Sequence, residues 1–277
     1  MASTSSIFGK IFHKRRESTH NASSIYTLVL ILSAFVGWGV VYIFDFSFNR
    51  NTLVYSLLFA LFFITAHVGT IGALGYGSAM LTSLFIGLSL LLPSVWGFFF
   101  WNSPVTPLCV LGLLLVGASI FLCSYVKKAG EKSITPRWIF YITLAVVGNA
   151  GCTIVQKHQQ IDFNGTGGTM LMFFSMLFAA VIYLLIYLKN AGSEDIQPLA
   201  RSWWAPAITG ICNTVLNLCV ILLASSELSP NLIYPVLGVG KIAMVTIFSL
   251  FIFKEEMSRT QWVGVGIGAL AILLLSL

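Results

Sequence analysis

One lysine in this chain, Lys241, lies near the middle of a long apolar stretch, where a charged side chain is costly. An ammonium group about 15 Å from either end of a membrane-spanning helix does not easily reach the interface. Such a lysine either binds an anionic group or hydrogen-bonds to backbone carbonyls as a structural group. Tyr234 lies two turns earlier on the same helical stripe. We expect Lys241 and Tyr234 to face a polar cavity and to contact a bound molecule there.

A stripe of polar side chains occupies another apolar stretch, with Thr209, Asn213 and Asn217 spaced four residues apart. Residues at this spacing share one face of a helix. A polar stripe at membrane depth either lines a pathway or bonds one helix to another. We expect Asn213 and Asn217 to line the cavity, whereas a similar stripe at residues 149, 153 and 156 is expected to bond helix to helix.

Two ring side chains complete the candidate binding set. His67 lies deep in an apolar stretch, and its ordinary pKa near 6.5 would let it carry a proton. The alternative is a neutral histidine that is hydrogen-bonded to a neighbouring helix. Trp96 lies deeper than an interfacial aromatic belt requires, so we expect it to line the cavity.

The sequence contains no residue pattern that indicates catalysis or cofactor binding. Its five cysteines lie in apolar stretches without a CxxC pair or a His/Cys cluster, so we expect no metal site and no cofactor. The chain has no HExxH motif, no Ser/His/Asp set at matching depth and no pair of carboxylates at mid-membrane. It also has no phosphate-binding loop. We therefore expect the protein not to be an enzyme. The net charge of +6 follows from where the lysines and arginines lie along the chain, so we also expect no binding of nucleic acid.

The elements that carry these residues are membrane helices. The chain is 57% hydrophobic and 9% charged, with a mean hydropathy of +0.92. Its apolar runs are continuous rather than alternating, which excludes a β-barrel. The sequence predicts an all-α polytopic membrane protein with nine visible transmembrane helices, near 25–44, 52–74, 79–101, 105–126, 138–156, 168–188, 203–224, 230–253 and 260–276.

Basic residues predict the orientation of these helices. All but three of the fifteen lysines and arginines lie in the N-terminal segment or in the loops after the fourth, sixth and eighth helices. Arg50 and Lys157 are assigned to the opposite side, and Lys241 lies within a helix. By the positive-inside rule, the N-terminus is cytoplasmic.

The last fifty residues repeat the pattern of residues 77–124: a small-residue entry, an apolar span, a short break, and a span with spaced glycines. The break at 102–104 carries no basic residue and its partner at 254–259 carries two, and this opposite bias in basic residues indicates an inverted repeat of four and five helices. We expect a basic segment at 1–24, a first repeat at 25–126, a basic linker at 127–137 and a second repeat at 138–277. Because inverted repeats need odd helix counts, residues 1–24 would be the remnant of a missing first span or, alternatively, a basic tail.

Two segments carry a family resemblance: Gly148–Gln160, and Phe253–Gly268 with its short acidic break and its Ser258, Gln261 and Gly264 spacing. The chain resembles the drug/metabolite transporter superfamily, in particular ten-span transporters with two EamA-type repeats. The resemblance implies a substrate cavity lined by visible helices two, three, seven and eight. It implies a secondary transporter of a small metabolite by alternating access, and Lys241 favours an anionic or zwitterionic substrate.

The spacing of glycines and the short connections between helices indicate the expected partners and location. The partners are the lipid bilayer, a small-molecule substrate and, through glycine faces that include Gly112, Gly117, Gly264, Gly266 and Gly268, a second copy of the chain. The short connections fit a bacterial inner membrane. The alternative is a non-transport membrane partner or a lipid-carrier flippase-type subunit.

Overall fold

The structure is a computed structural model that describes residues 20–77, 79–89, 91–101, 105–124, 135–190, 204–226, 232–234, 236–237, 240 and 259–276. Every element within these ranges is an α-helix, and we number the helices in chain order: α1 His20–Phe44, α2 Thr52–Tyr76, α3 Ala79–Leu88, α4 Leu91–Phe100, α5 Pro107–Ser124, α6 Pro136–Asp162, α7 Gly168–Asn190, α8 Trp204–Ala224 and α9 Arg259–Ser276. The predicted all-α fold class is confirmed.

Most predicted helix bounds agree with the structure to within two residues. The two larger differences are α1, which begins five residues early at His20, and α6, which runs six residues past 156 to Asp162. The predicted helix at 230–253 and the linker at 127–137 lie mostly outside the described residues.

Two of the helices start with the same local signal, a threonine followed by a proline. The Thr106 hydroxyl accepts a hydrogen bond from the backbone N–H of Cys109 at 3.1 Å, at the start of α5. The Thr135 hydroxyl accepts from the backbone N–H of Trp138 at 3.2 Å, at the start of α6. Threonine satisfies a first-turn donor that has no partner in the helix, and proline at the first helical position loses no hydrogen bond there.

The predicted helix at 79–101 is two helices, α3 and α4, with an interruption at Ser89. Pro93 has no N–H to donate to the Ser89 carbonyl, which instead accepts from the N–H of Leu92 at 3.2 Å. The Ser89 hydroxyl donates to the Ile86 carbonyl and accepts from Asn149 of α6 at 3.2 Å. The expected helix-to-helix role is therefore confirmed for Asn149, whereas the Thr153 hydroxyl of the same stripe donates to the Asn149 carbonyl of its own helix.

Among the helices that the structure describes, five are long and apolar enough to cross a membrane: α1, α2, α6, α7 and α8. Large apolar side chains on them are exposed, among them Val36, Ile43, Leu185 and Val215. Outward-facing apolar side chains on continuous apolar helices are suited to hydrocarbon rather than to water.

The chain divides into two compact units, and each draws helices from both predicted repeats. The first unit contains the described parts of Met1–His67 and Val155–Ser226; the second contains those of Val68–Ile154 and Glu227–Leu277. The repeat boundaries themselves remain a prediction.

In the second unit, α5 packs closely on α9 around Val116, Ile120 and Ala271. The Ser119 hydroxyl donates to the Gly264 carbonyl at 2.7 Å. A Cβ added at Gly112 would lie 2.7 Å from Leu275. These glycines allow close packing within one chain, and the pairing of two copies remains a prediction.

Candidate functional site

The C-terminal turns of α6 bury a run of polar side chains in the first unit. Gln156, Lys157, Gln159 and Gln160 are each at most 6% exposed. The predicted helix ends at 156, before Lys157, whereas in the structure Lys157 lies within α6 and is buried; its assignment to the side of Arg50 stays a prediction. Helix α6 continues to Asp162, because these side chains find hydrogen-bond partners inside the protein rather than in solvent.

Lys157 contacts the C-terminal end of α8. Its ammonium group donates to the carbonyl of Ala224 at 2.7 Å and lies 3.4 Å from the carbonyl of Ser226. The last carbonyls of a helix have no donor within the helix, and the helix dipole makes this end partly negative. Lys157 therefore caps α8, and this contact fixes the end of α8 against α6.

Three amide side chains form a chain of hydrogen bonds beside this contact. The Gln156 amide N–H of α6 donates to the Asn217 carbonyl oxygen of α8 at 3.2 Å. The Asn217 amide N–H donates in turn to the Asn213 side-chain oxygen at 2.9 Å. We call these three residues the amide relay. It confirms that Gln156 bonds one helix to another, as the sequence predicts.

One backbone group fixes the direction of the amide relay. The Asn217 amide N–H also donates to the backbone carbonyl of Asn213 at 2.9 Å, and a carbonyl only accepts. The Asn217 oxygen must therefore face Gln156, and the Asn213 oxygen must face Asn217. The remaining group is the Asn213 amide N–H, which is buried and has no acceptor among the described residues. The relay thus ends in a hydrogen-bond donor.

Gln159 and Gln160 hold the turn between α6 and α7. The Gln159 amide donates to the Thr166 carbonyl at 2.8 Å and accepts from the Gln160 amide. Gly165 and Gly167 have φ values of 77° and 72°, in the region that favours glycine. The role of these two glutamines is to shape the turn.

The structure brings together two of the residues predicted to bind substrate, Asn213 and Asn217. His67 belongs to the same unit, with its ring centroid 4.5 Å from that of Phe63. The other two described residues of that set are in the second unit: Trp96 stacks on Phe100 at 4.1 Å, and Tyr234 is fully buried.

Lys241 lies outside the described residues. Across the ranges that the structure covers, no three His, Cys, Asp or Glu side chains could together hold a metal ion.

Sequence reasoning missed Lys157 as a site residue because it ended the fifth predicted helix at 156. The signal was available: Gln156–Gln160 is a polar run directly after an apolar span. Such a run is typical of a loop, and only burial by α8 shows that it belongs to the interior.

The comparisons with known proteins agree with this architecture. The EamA-like transporter family matches residues 136–277, slightly more than half of the chain. An uncharacterized protein of Haemophilus influenzae (strain ATCC 51907 / DSM 11121 / KW20 / Rd) is 22% identical over 180 residues. That match covers 64% of this chain and 60% of the relative.

One crystal structure of a protein has the same fold at 13% identity, with a TM-score of 0.77. The match covers 99% of this chain and 94% of that one. At this identity, the likeness concerns the fold alone. The family match carries the assignment: the chain belongs to the EamA-like transporter family of the drug/metabolite transporter superfamily, and it is an integral membrane protein.

Proposed function

We propose that this protein is a secondary transporter that moves a small anionic or zwitterionic metabolite across the membrane by alternating access. Members of its family are transporters, not enzymes. The observation that supports a substrate role for particular residues is the amide relay, because it ends in the amide N–H of Asn213, which has no acceptor among the residues that the structure describes.

The position of this donor supports binding rather than helix association alone. Hydrogen bonds between membrane helices contribute only about 0.6 kcal/mol each. A buried donor without an acceptor costs about 1–3 kcal/mol. The Asn213 donor thus costs more than one helix-to-helix bond contributes, and a substrate oxygen would remove that cost.

Two considerations favour an anionic group on the substrate. The relay presents a donor, which needs an acceptor oxygen, and hydrogen bonds to a charged acceptor are roughly twice as strong as neutral ones. The sequence-based expectation that Lys241 binds an anionic group favours the same substrate class. The sequence contains no phosphate-binding loop for a nucleotide, so we propose that a solute or ion gradient drives transport.

The experiment that tests this proposal is uptake into liposomes that contain the purified protein. Amino acids, organic acids, sugar phosphates, neutral sugars and lipophilic cations are tested as radiolabelled substrates. We expect saturable uptake of an anionic or zwitterionic compound. For that compound, Asn213→Leu lowers kcat/KM by about tenfold to a hundredfold, because a hydrogen bond to a charged group is lost.

The matched control is Thr143→Ala, which removes an exposed hydroxyl on α6 that donates to the Ile139 carbonyl of its own helix. Its uptake should equal that of the wild type. Uptake of cations alone would contradict the proposed substrate class. Absence of uptake across the whole panel would contradict transport and favour a non-transport membrane partner.

A further inference from the structure

Helices α1 and α8 run parallel and in close contact in the first unit. A Cβ added at Gly210 would lie 2.5 Å from the Leu30 carbonyl, and one added at Gly37 would lie 2.7 Å from the Thr214 hydroxyl. Residue numbers therefore increase in the same direction along both helices, from Leu30 and Gly210 to Gly37 and Thr214. The Thr214 hydroxyl also lies 3.3 Å from the Ala34 carbonyl, which fixes the same register.

This register places Trp38 and Asn213 on one side of the α1–α8 contact. Trp38 follows the contact residue Gly37, and Asn213 precedes the contact residue Thr214. Each step along a helix turns a side chain by about 100°. In two parallel helices that face each other, the side chain one residue after the contact on the first helix points to the same side of the pair as the side chain one residue before the contact on the second. Both side chains are buried, Trp38 at 0% and Asn213 at 5% exposure.

The two side chains share one property that matters for binding. Within the described part of the chain, neither the indole N–H of Trp38 nor the amide N–H of Asn213 has a hydrogen-bond acceptor. Indole nitrogen is a donor only, and the direction of the amide relay makes the free Asn213 group a donor as well. Buried donors are normally paired, so two unpaired donors on one side of the same helix pair are suited to a common acceptor.

We propose that Trp38 and Asn213 form a donor pair that binds an oxygen of an anionic substrate group, a carboxylate or a phosphate. This inference rests on the proposed transport function and names a residue on α1, Trp38, that lies outside the part of the chain matched by the family. An anionic oxygen is favoured because hydrogen bonds to a charged acceptor are roughly twice as strong as neutral ones. Between residues 26 and 44 of α1 and along all of α8, no acidic side chain competes for the donors.

The test observes Trp38 directly rather than through transport. Protein labelled with 15N at tryptophan is placed in lipid nanodiscs, and the indole N–H resonance that disappears in Trp38→Phe is assigned to Trp38. Acetate, inorganic phosphate and neutral acetamide are titrated separately. We expect a saturable shift of the Trp38 resonance with acetate or phosphate and a much weaker response to acetamide. Which of the two anions acts distinguishes a carboxylate from a phosphate substrate.

Variants of Asn213 test whether the two donors act on one ligand. Asn213→Leu should weaken anion binding at the Trp38 resonance by about tenfold to a hundredfold. Asn213→Asp keeps the side-chain size and should abolish the shift of the Trp38 resonance, because its carboxylate repels the anion. This variant replaces Asn213→Leu in the test if the leucine variant does not fold. Trp262→Phe removes a tryptophan that is 59% exposed on α9 and should leave the Trp38 titration unchanged.

Two results would overturn the donor pair: a Trp38 resonance that no anion moves, or one that responds equally in wild type and Asn213→Asp. The outcome is separable from the transport proposal. Anion binding at Trp38 without uptake into liposomes would retain the pair and reject transport. Uptake that depends on Asn213, with an unresponsive Trp38, would retain transport and reject the pair.

Discussion

Lys157 shows how a single charged side chain is accommodated in an apolar helix bundle. It is 6% exposed, and both of its described partners are carbonyl oxygens, those of Ala224 and Ser226. The partly negative end of α8 takes the place of a carboxylate. The carbonyl oxygens at this site therefore stabilise a positive charge and destabilise a negative one.

This asymmetry predicts the effect of charge reversal. Lys157→Glu places a carboxylate against carbonyl oxygens and should lower the free energy of unfolding by about 3–5 kcal/mol, the cost of an uncompensated buried charge. Arg50→Glu makes the same charge change at an exposed residue and should stay within about 0.5 kcal/mol of the wild type. Unfolding in detergent, followed by tryptophan fluorescence, measures both. Equal losses in the two variants would show that Lys157 is not a buried cap.

At the scale of helices, the contact of α2 with α6 in the second unit depends on the absence of side chains. A Cβ added at Gly69 would lie 2.7 Å from the Tyr141 carbonyl and would also meet the backbone nitrogen of Ala145. Backbone atoms cannot rotate aside as side chains do, so the two helices would have to separate.

The glycines of α2 therefore differ in their tolerance of alanine. Gly69→Ala should destabilise the protein by about 1–3 kcal/mol through overpacking. Gly75→Ala is the matched control, because an added Cβ there would meet no described atom within 4 Å. Alanine favours helix by up to about 1 kcal/mol over glycine, so this variant should be as stable as the wild type or more stable. A thermal unfolding midpoint that falls equally in both variants would contradict the close contact at Gly69.

At the scale of the whole molecule, the positive-inside rule predicts which loops face the cytoplasm. The connection between α1 and α2 should lie outside the cell, and the basic segment between α5 and α6 should lie inside. In a variant without the five native cysteines, Asn51→Cys should react with a membrane-impermeant maleimide on intact cells. Ser133→Cys should react only after permeabilisation. The reverse labelling pattern would invert the assigned orientation.

The sequence by itself determined the elements of this protein. Continuous apolar stretches of about 20 residues are explained only by membrane helices, since backbone groups in lipid must be satisfied within the helix. The Thr-Pro pairs at the starts of α5 and α6 act on neighbouring residues, so their effect is local. The four-residue spacing of Asn213 and Asn217 likewise suffices to place both on one face of a helix.

Only the tertiary structure decided how these elements meet. Gln156 and Asn217 are 61 residues apart, and Lys157 and Ala224 are 67 apart, so no local pattern links them. The interruption at Ser89 also depends in part on a distant residue, Asn149. The bond that joins the amide relay to Gln156 follows from the packing of α6 on α8, whereas the direction of the relay is fixed within α8 by the Asn213 carbonyl. Spacing along the chain fixes which residues share a helix face, whereas the partner of that face is set by helix packing.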